Sequence, residues 1–190
     1  TTRLMPTMEP EPEPPPTLSS KQETVSGLQS PQTIPRLRYE DLVLSETAIG
    51  RGQDKTVFVA RYQSKDVAAL VAEGGTSLEA EAQIFARAGR HPNLIHFWGL
   101  AQHGDLHCLV AERAAFGSLD QFLEDNGKGL LLEAKLTMGS QIAAGMAHLH
   151  AQSLIHRDLA TRNVLVCQRG DEHGRGTVVK LTDYGLTKEA

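Results

Sequence analysis

Near its C-terminal end the chain reads His156-Arg157-Asp158-Leu159-Ala160-Thr161-Arg162-Asn163, and Asp183-Tyr184-Gly185 begins twenty positions after Asn163. No other feature constrains the chain as strongly. Asp158 supplies a carboxylate able to accept a hydroxyl proton. Asn163 and Asp183 supply the carbonyl and carboxylate oxygens that suit a hard ion such as Mg²⁺. A base and such a pair are the parts that phosphoryl transfer needs.

The segments around these motifs fall into blocks. Residues 1–36 carry Glu9-Pro10-Glu11-Pro12-Glu13-Pro14-Pro15-Pro16 and then Ser, Gln and Thr, with few large apolar residues. Such a stretch cannot bury enough surface to offset its ordering entropy and is expected to be a disordered tail. Pro12 and Pro15 give the PxxP spacing of an SH3-type ligand, although acidic flanks favour a plain solvated tail. Order is expected from about Leu37. Asp41–Leu44 leading to Gly50, then Thr56–Tyr62, read as two strands of a hairpin, and Asp66–Val71 as a third. Ser77–Ala88 has helical spacing, with Ser77 as N-cap. Leu94–Trp98 and Leu106–Ala111 read as two more strands. From Leu119 the pattern turns helical, and the longest helix is expected over Glu133–His150, with Leu136, Ile142, Ala143, Met146 and Leu149 on one face. Strands followed by helices in separate blocks imply an α+β fold.

Composition narrows the function. A hydrophobic content of 40% and a net charge of −4 suit a globular domain and argue against a basic nucleic-acid binder. Two unspaced cysteines, Cys108 and Cys167, support neither a zinc site nor a disulfide framework and suggest a reducing compartment. No apolar run approaches the length that spans a bilayer, and no signal peptide opens the chain.

The string at 156–163 closely matches the H-R-D-L-x-x-x-N catalytic loop of protein kinases, and Asp183-Tyr184-Gly185 matches D-F-G with Tyr for Phe. The chain therefore resembles a eukaryotic protein kinase domain from about Leu37 to Ala190. The resemblance implies a two-lobed fold, a β-rich N-lobe and a mainly helical C-lobe, that binds ATP with Mg²⁺ and phosphorylates a protein substrate. Asp158 would be the base, with Asn163 and Asp183 on the metal. His156 would be structural, packed under Tyr184. Ala160-Thr161-Arg162 resembles the A-x-R of tyrosine kinases, in which the arginine supplies charge that serine/threonine kinases take from a lysine at position 160. That favours tyrosine as acceptor.

Gly50-Arg51-Gly52 sits in the turn of the first hairpin. Glycines there let backbone amides approach phosphate oxygens, although a tight hairpin alone also uses Gly. Two departures from the family follow. The third glycine of G-x-G-x-x-G is Lys55, and the V-A-I-K run of the third strand is Val67-Ala68-Ala69-Leu70. Leucine cannot neutralise phosphate charge, which taken alone suggests a pseudokinase. Yet Gly52-Gln53-Asp54-Lys55-Thr56-Val57 resembles the with-no-lysine kinases, whose loop lysine replaces the strand lysine. Lys55 is either that replacement or an exposed loop lysine, and Lys65 is a poorer candidate. Glu81, in Glu81-Ala82-Gln83-Ile84, would be its carboxylate partner, with Glu79 as fallback. Phe85 would be the apolar residue contacting Tyr184.

The resemblance also puts the hinge at Glu112 to Ala114, whose backbone would bond the adenine edge, behind a small gatekeeper, Ala111. Val57, Ala68 and Leu165 match the apolar positions that sandwich adenine, though each is equally at home as core. Residues 167–176 are Gly-rich and charged and read as a solvated loop, with no supported role for His173. The chain ends at Ala190, where such a domain would continue into an activation loop and an A-P-E motif. It reads as a partial domain, inactive as it stands, of a cytoplasmic protein or the intracellular part of a receptor. Catalytic kinase and nucleotide-binding or scaffolding pseudokinase both stay open.

Overall fold

The computed structural model describes residues 33–51, 55–72, 78–183 and 187–189, the last two by backbone alone. The proline-rich segment with Pro12 and Pro15, and also Gly52, Ser77, Tyr184 and Gly185, lie outside the described residues. The described chain has a β-rich N-lobe and a helical C-lobe, the α+β architecture expected.

Six strands form one sheet in the order β1-β5-β6-β4-β3-β2. They are β1 (Arg36–Leu37), β2 (Leu42–Arg51), β3 (Lys55–Tyr62), β4 (Lys65–Ala72), β5 (Phe97–His103) and β6 (Leu106–Glu112). All pairs are antiparallel except β1 with β5. Successive side chains on a strand face opposite sides of a sheet. In β4 this sends Val67, Ala69 and Val71 to an outer core with Ala60, Cys108 and Val110. Leu70 and Ala72 go to the main core, which α1 also joins.

Helix α1 (Glu79–Ala88) buries Ala82, Phe85 and Ala88, one apolar stripe at helical spacing. Glu79 and Glu81 in its first turn and Arg87 in its last complement the helix dipole. Gly89 ends it at φ 68°, where its N–H reaches the Phe85 carbonyl. Helix α2 (Leu119–Asn126) and the long α3 (Leu132–Ala151) build the C-lobe. Around them lie the short pair β7 (Leu154–Ile155) with β10 (Lys188–Glu189) and the hairpin β8 (Val164–Gln168) with β9 (Val178–Leu181).

Four expectations need correction. First, the packed chain starts before Leu37: Ile34 packs on the main core and the Pro35 carbonyl accepts from Leu100 N–H. Second, Leu94 and Ile95 are buried but not in a sheet strand. Ile95 N–H donates to the Leu181 carbonyl, and Leu181 N–H to the Asn93 carbonyl, so this stretch is drawn to β9 and β5 begins only at Phe97. Third, Leu136 and Ala143 of α3 are exposed, and Leu136 is 66% accessible. The buried face is Ala134, Met138, Gly145 and Leu149, with Ile142 and Met146 at its margin. Small residues win because the turn after α1 comes so close: a Cβ on Gly145 would lie 2.9 Å from both the Asn93 carbonyl oxygen and a Leu181 methyl. Fourth, the loop after β8 is built rather than merely solvated. Asp171 Oδ1 accepts from the N–H groups of His173 and Arg175, the Leu131 N–H donates to the His173 carbonyl, and Gly174 and Thr177 are buried.

Among the described residues no helix is long and apolar enough to cross a membrane.

Candidate active site

The site begins with sheet register. Lys55 pairs with Ala72, Val57 with Leu70, and Val59 with Ala68, while Ala68 also pairs with Ala111 across β6. Paired residues of antiparallel strands share a face, so Lys55, Val57, Leu70, Ala68 and Ala111 all project to the side that carries α1. Lys55 is the diagonal neighbour of Leu70, at roughly 7–8 Å between backbones. A lysine side chain spans that gap. Lys55 Nζ lies 2.5 Å from Glu81 Oε2, with side chains 34% and 11% accessible. Part of this pair is withdrawn from water, where an ion pair is screened less than on an open surface. The alternatives are engaged elsewhere. Glu79 pairs with Arg36 at 2.5 Å, and Lys65 Nζ stands 4.9 Å over the ring of Trp98.

Val57, Ala68 and Leu165 are all half-buried. Leu165 bridges Ser118 just after the hinge segment, so β8 lies under the same opening. Gly50 pairs with Val57 at a φ outside the left-handed region, and an added Cβ would meet Val57 at an ordinary 3.6 Å. The hairpin therefore does not demand glycine at Gly50.

At the hinge the Glu112 N–H donates to the His96 carbonyl at 2.7 Å. Its carboxylate takes Lys180 Nζ at 2.6 and 2.7 Å and the His96 N–H at 3.1 Å. The Glu112 side chain thus ties the end of β6 to Lys180 of β9 and to the His96 backbone. Lys180 was not singled out in the sequence. Its only signal is a lysine inside the apolar run Val178–Leu181.

In the catalytic loop Asp158 Oδ1 lies 2.6 Å from Arg162 Nη2. Asn163 Nδ2 donates to the Asp158 carbonyl at 2.8 Å and to Oδ2 at 2.9 Å. The bond from Arg162, and then that from Asn163, hold the Asp158 carboxyl below its ordinary range. It is a carboxylate at neutral pH, as a proton acceptor must be. Buried His156 organises the loop: its Nδ1 accepts from Asp158 N–H at 3.4 Å, and Nε2 meets the Thr182 carbonyl at 3.0 Å.

Asn163 and Asp183 are brought together by the β8–β9 hairpin. Val164 pairs with Leu181, and Thr182 N–H donates to the Asn163 carbonyl. Asn163 spends its amide nitrogen on Asp158, so its Oδ1 is the atom able to ligate a metal. Asp183 is held at φ 63°, a left-handed backbone unusual for a residue other than glycine. One carboxylate and one amide oxygen suit Mg²⁺, which keeps several waters and takes further oxygens from phosphates. Among the described residues no group of three or more His, Cys, Asp or Glu could hold a metal. The donor set therefore fits a phosphate-bound ion rather than an all-protein cage.

Comparison with known proteins agrees with this geometry. The family described as "Protein tyrosine and serine/threonine kinase" matches residues 44–190. Tyrosine-protein kinase SRK2 of Spongilla lacustris is 34% identical over 145 residues, covering 74% of this chain and 38% of the sponge protein. Tyrosine-protein kinase SRK3 of the same sponge is 38% identical over 109 residues, 57% of this chain and 30% of the relative. Mitogen-activated protein kinase kinase kinase 10 of Homo sapiens is 33% identical over 179 residues, 86% of this chain and 18% of the human protein. The chain thus spans well under half the length of these curated relatives. By catalytic loop, sheet register and family match, the chain belongs to the protein tyrosine and serine/threonine kinase family.

Proposed function

We propose that the domain transfers the γ-phosphoryl group of ATP to a protein hydroxyl, that of tyrosine, with Lys55 standing in for the strand lysine that Leu70 replaces. The observation that carries this reading is the Lys55–Glu81 ion pair on the face shared with Leu70. An exposed loop lysine with no role at the cleft would not be expected against a carboxylate that is only 11% accessible.

The chemistry follows from the loop. Asp158 accepts the proton of the acceptor hydroxyl as its oxygen bonds to the γ-phosphorus. The bond from that phosphorus to the β–γ bridging oxygen breaks, and ADP departs with the electron pair. The proton held on Asp158 then passes to solvent. Mg²⁺ held by Asp183 and Asn163 would supply charge neutralisation on the phosphates. Lys55 fixes the α and β phosphates, and Glu81 fixes Lys55. Arg162, paired with Asp158 in the free domain, takes the role of turning to the transferred phosphate. Val57, Ala68 and Leu165 sandwich the adenine, and the Glu112–Ala114 backbone bonds its edge.

Tyrosine as acceptor rests on Ala160 and Arg162, and the sponge relatives are named as tyrosine kinases. Protein substrate, an SH3-type partner for Pro12–Pro15, and a cytoplasmic site or the intracellular part of a receptor belong to the same proposal. Leu70 favours a second reading, a pseudokinase that binds nucleotide or scaffolds a partner without turnover.

Calorimetry with ATP, with and without Mg²⁺, on the full-length protein and its Asp183→Asn variant tests the binding half. Mg²⁺-dependent affinity that the variant loses is expected. Its absence in the folded wild type leaves the scaffold reading.

A further inference from the structure

We propose that the cleft behind the hinge, between the turn after α1 and strand β9, is a second ligand site that binds a phosphate-class dianion. Arg90, His91, Pro92, Leu94, His96 and Lys180 line it, around a volume of about 240 Å³. Four of those six side chains are basic or can become so. The volume is on the order of eight times a water's ~30 Å³ share, room for a tetrahedral oxyanion and several waters. It falls below the roughly 300–1,000 Å³ of drug-sized sites, so a small anion is the fitting class.

The charges in the cleft are not balanced internally. Lys180 is neutralised by Glu112 through both carboxylate oxygens. Arg90 is not: its Nη2 donates to the neutral acceptor His96 Nε2 at 3.1 Å, and among the described residues no carboxylate lies in ion-pair range of it. A guanidinium at the mouth of a cleft whose partner is only an imidazole is a natural fork for a phosphoryl or sulfuryl oxygen pair. The cleft carries one net positive charge with both imidazoles neutral, and gains one for each that is protonated.

The histidines make that gain available. His91 Nδ1 accepts from Asn93 N–H, and its ring stacks on His148 of α3 at 4.8 Å. Desolvation and then His148 hold His91 below its ordinary pKa. Desolvation and then Arg90 do the same for His96, with Lys180 and Lys65 adding to the effect and Glu112 opposing it. Burial first and the neighbouring positive groups second disfavour the charged rings, and a bound dianion would offset the second of these. Binding should therefore take up protons and strengthen as pH falls through the imidazole range.

The test is calorimetric titration of sulfate, whose charge does not change over this range, into the full-length protein at constant ionic strength. Titrations at about pH 6 and about pH 8, in buffers of different ionisation enthalpy, read both affinity and proton uptake. We expect saturable binding, roughly tenfold tighter at the lower pH, with net proton uptake. Arg90→Gln should weaken it roughly tenfold with unchanged circular dichroism, and Arg61→Gln, outside the cleft, should not. His96→Gln should shrink the pH dependence while binding persists at the higher pH, a readout that does not depend on Arg90→Gln folding well. Inorganic phosphate and phenyl phosphate in parallel distinguish a free ion from a phosphate ester. Absence of saturable binding overturns the proposal. So does affinity that a folded Arg90→Gln leaves unchanged, or a pH dependence that His96→Gln leaves intact.

Discussion

Lys55 Nζ and Glu81 Oε2 lie 2.5 Å apart, joining the first residue of β3 to the first turn of α1. In the kinase family the strand lysine makes that connection, and here Leu70 holds its position. Register explains how the task can move. Lys55 shares its sheet face with Leu70 at one diagonal step, so its ammonium approaches the same helix from the adjoining strand. On the proposed reading the leucine at position 70 and the lysine at position 55 form one feature. Restoring the lysine at Leu70 in a Lys55→Met background should recover part of the lost phosphotransfer, since both positions face α1. A double variant no more active than Lys55→Met would mean that the face is shared but the reach is not.

The junction between α3 and the turn after α1 should be intolerant of bulk. A Cβ on Gly145 would meet backbone at Asn93 and a side chain at Leu181, and Asn93 is itself tied to Gln141 and to the Val179 carbonyl. Gly145→Ala should destabilise the domain by about 1–3 kcal/mol despite the better helix propensity of alanine. Gly139→Ala on the same helix, with nothing within 4 Å of its Cβ, should be neutral or stabilising. Chemical denaturation of the two variants decides the matter.

This junction also marks what the sequence could and could not reveal. The string at 156–163 and Asp183 were legible as a family resemblance, because they match the kinase catalytic-loop and D-F-G motifs in order and spacing. The contact of Lys55 with Glu81 was legible from the loop lysine and the carboxylate expected opposite it. The buried face of α3 was legible only in part: apolar spacing found Leu149, with Ile142 and Met146 at its margin, but also pointed to Leu136 and Ala143, whereas close approach of backbone selected Ala134, Gly145 and the polar Gln141, whose amide serves Asn93, Thr177 and Val179. Strand β1 spans Arg36–Leu37 and carries no periodicity to read. The Glu112–Lys180 pair links residues far apart in the chain, and charge alone does not predict partners over such separations.

Acid should loosen the loop after β8. Bonds from the Arg175 and His173 backbone hold the Asp171 carboxyl below its ordinary value. A depressed folded pKa gives stability that is present above the unfolded value of ~3.9 and is lost as pH falls through the folded one. Urea midpoints of the wild type should therefore fall more steeply below about pH 4 than those of Asp171→Asn, which starts lower and lacks this titration. Parallel curves would remove Asp171 from the account.

The acceptor is decided separately from catalysis. Phosphoamino-acid analysis of a degenerate peptide library treated with the full-length protein should give phosphotyrosine, as Ala160 and Arg162 suggest. Predominant phosphoserine would overturn the tyrosine assignment and leave the rest standing.

The central claim is that Lys55 holds the phosphates in place of a strand lysine, and steady-state phosphotransfer by full-length wild type and Lys55→Met tests it most directly. Removing a positioned charge from the developing transition state typically costs about 3–4 kcal/mol, or roughly 10²–10³ in kcat. The account predicts a loss of that size with a smaller change in ATP affinity. An active wild type whose Lys55→Met variant keeps most of its kcat would contradict it.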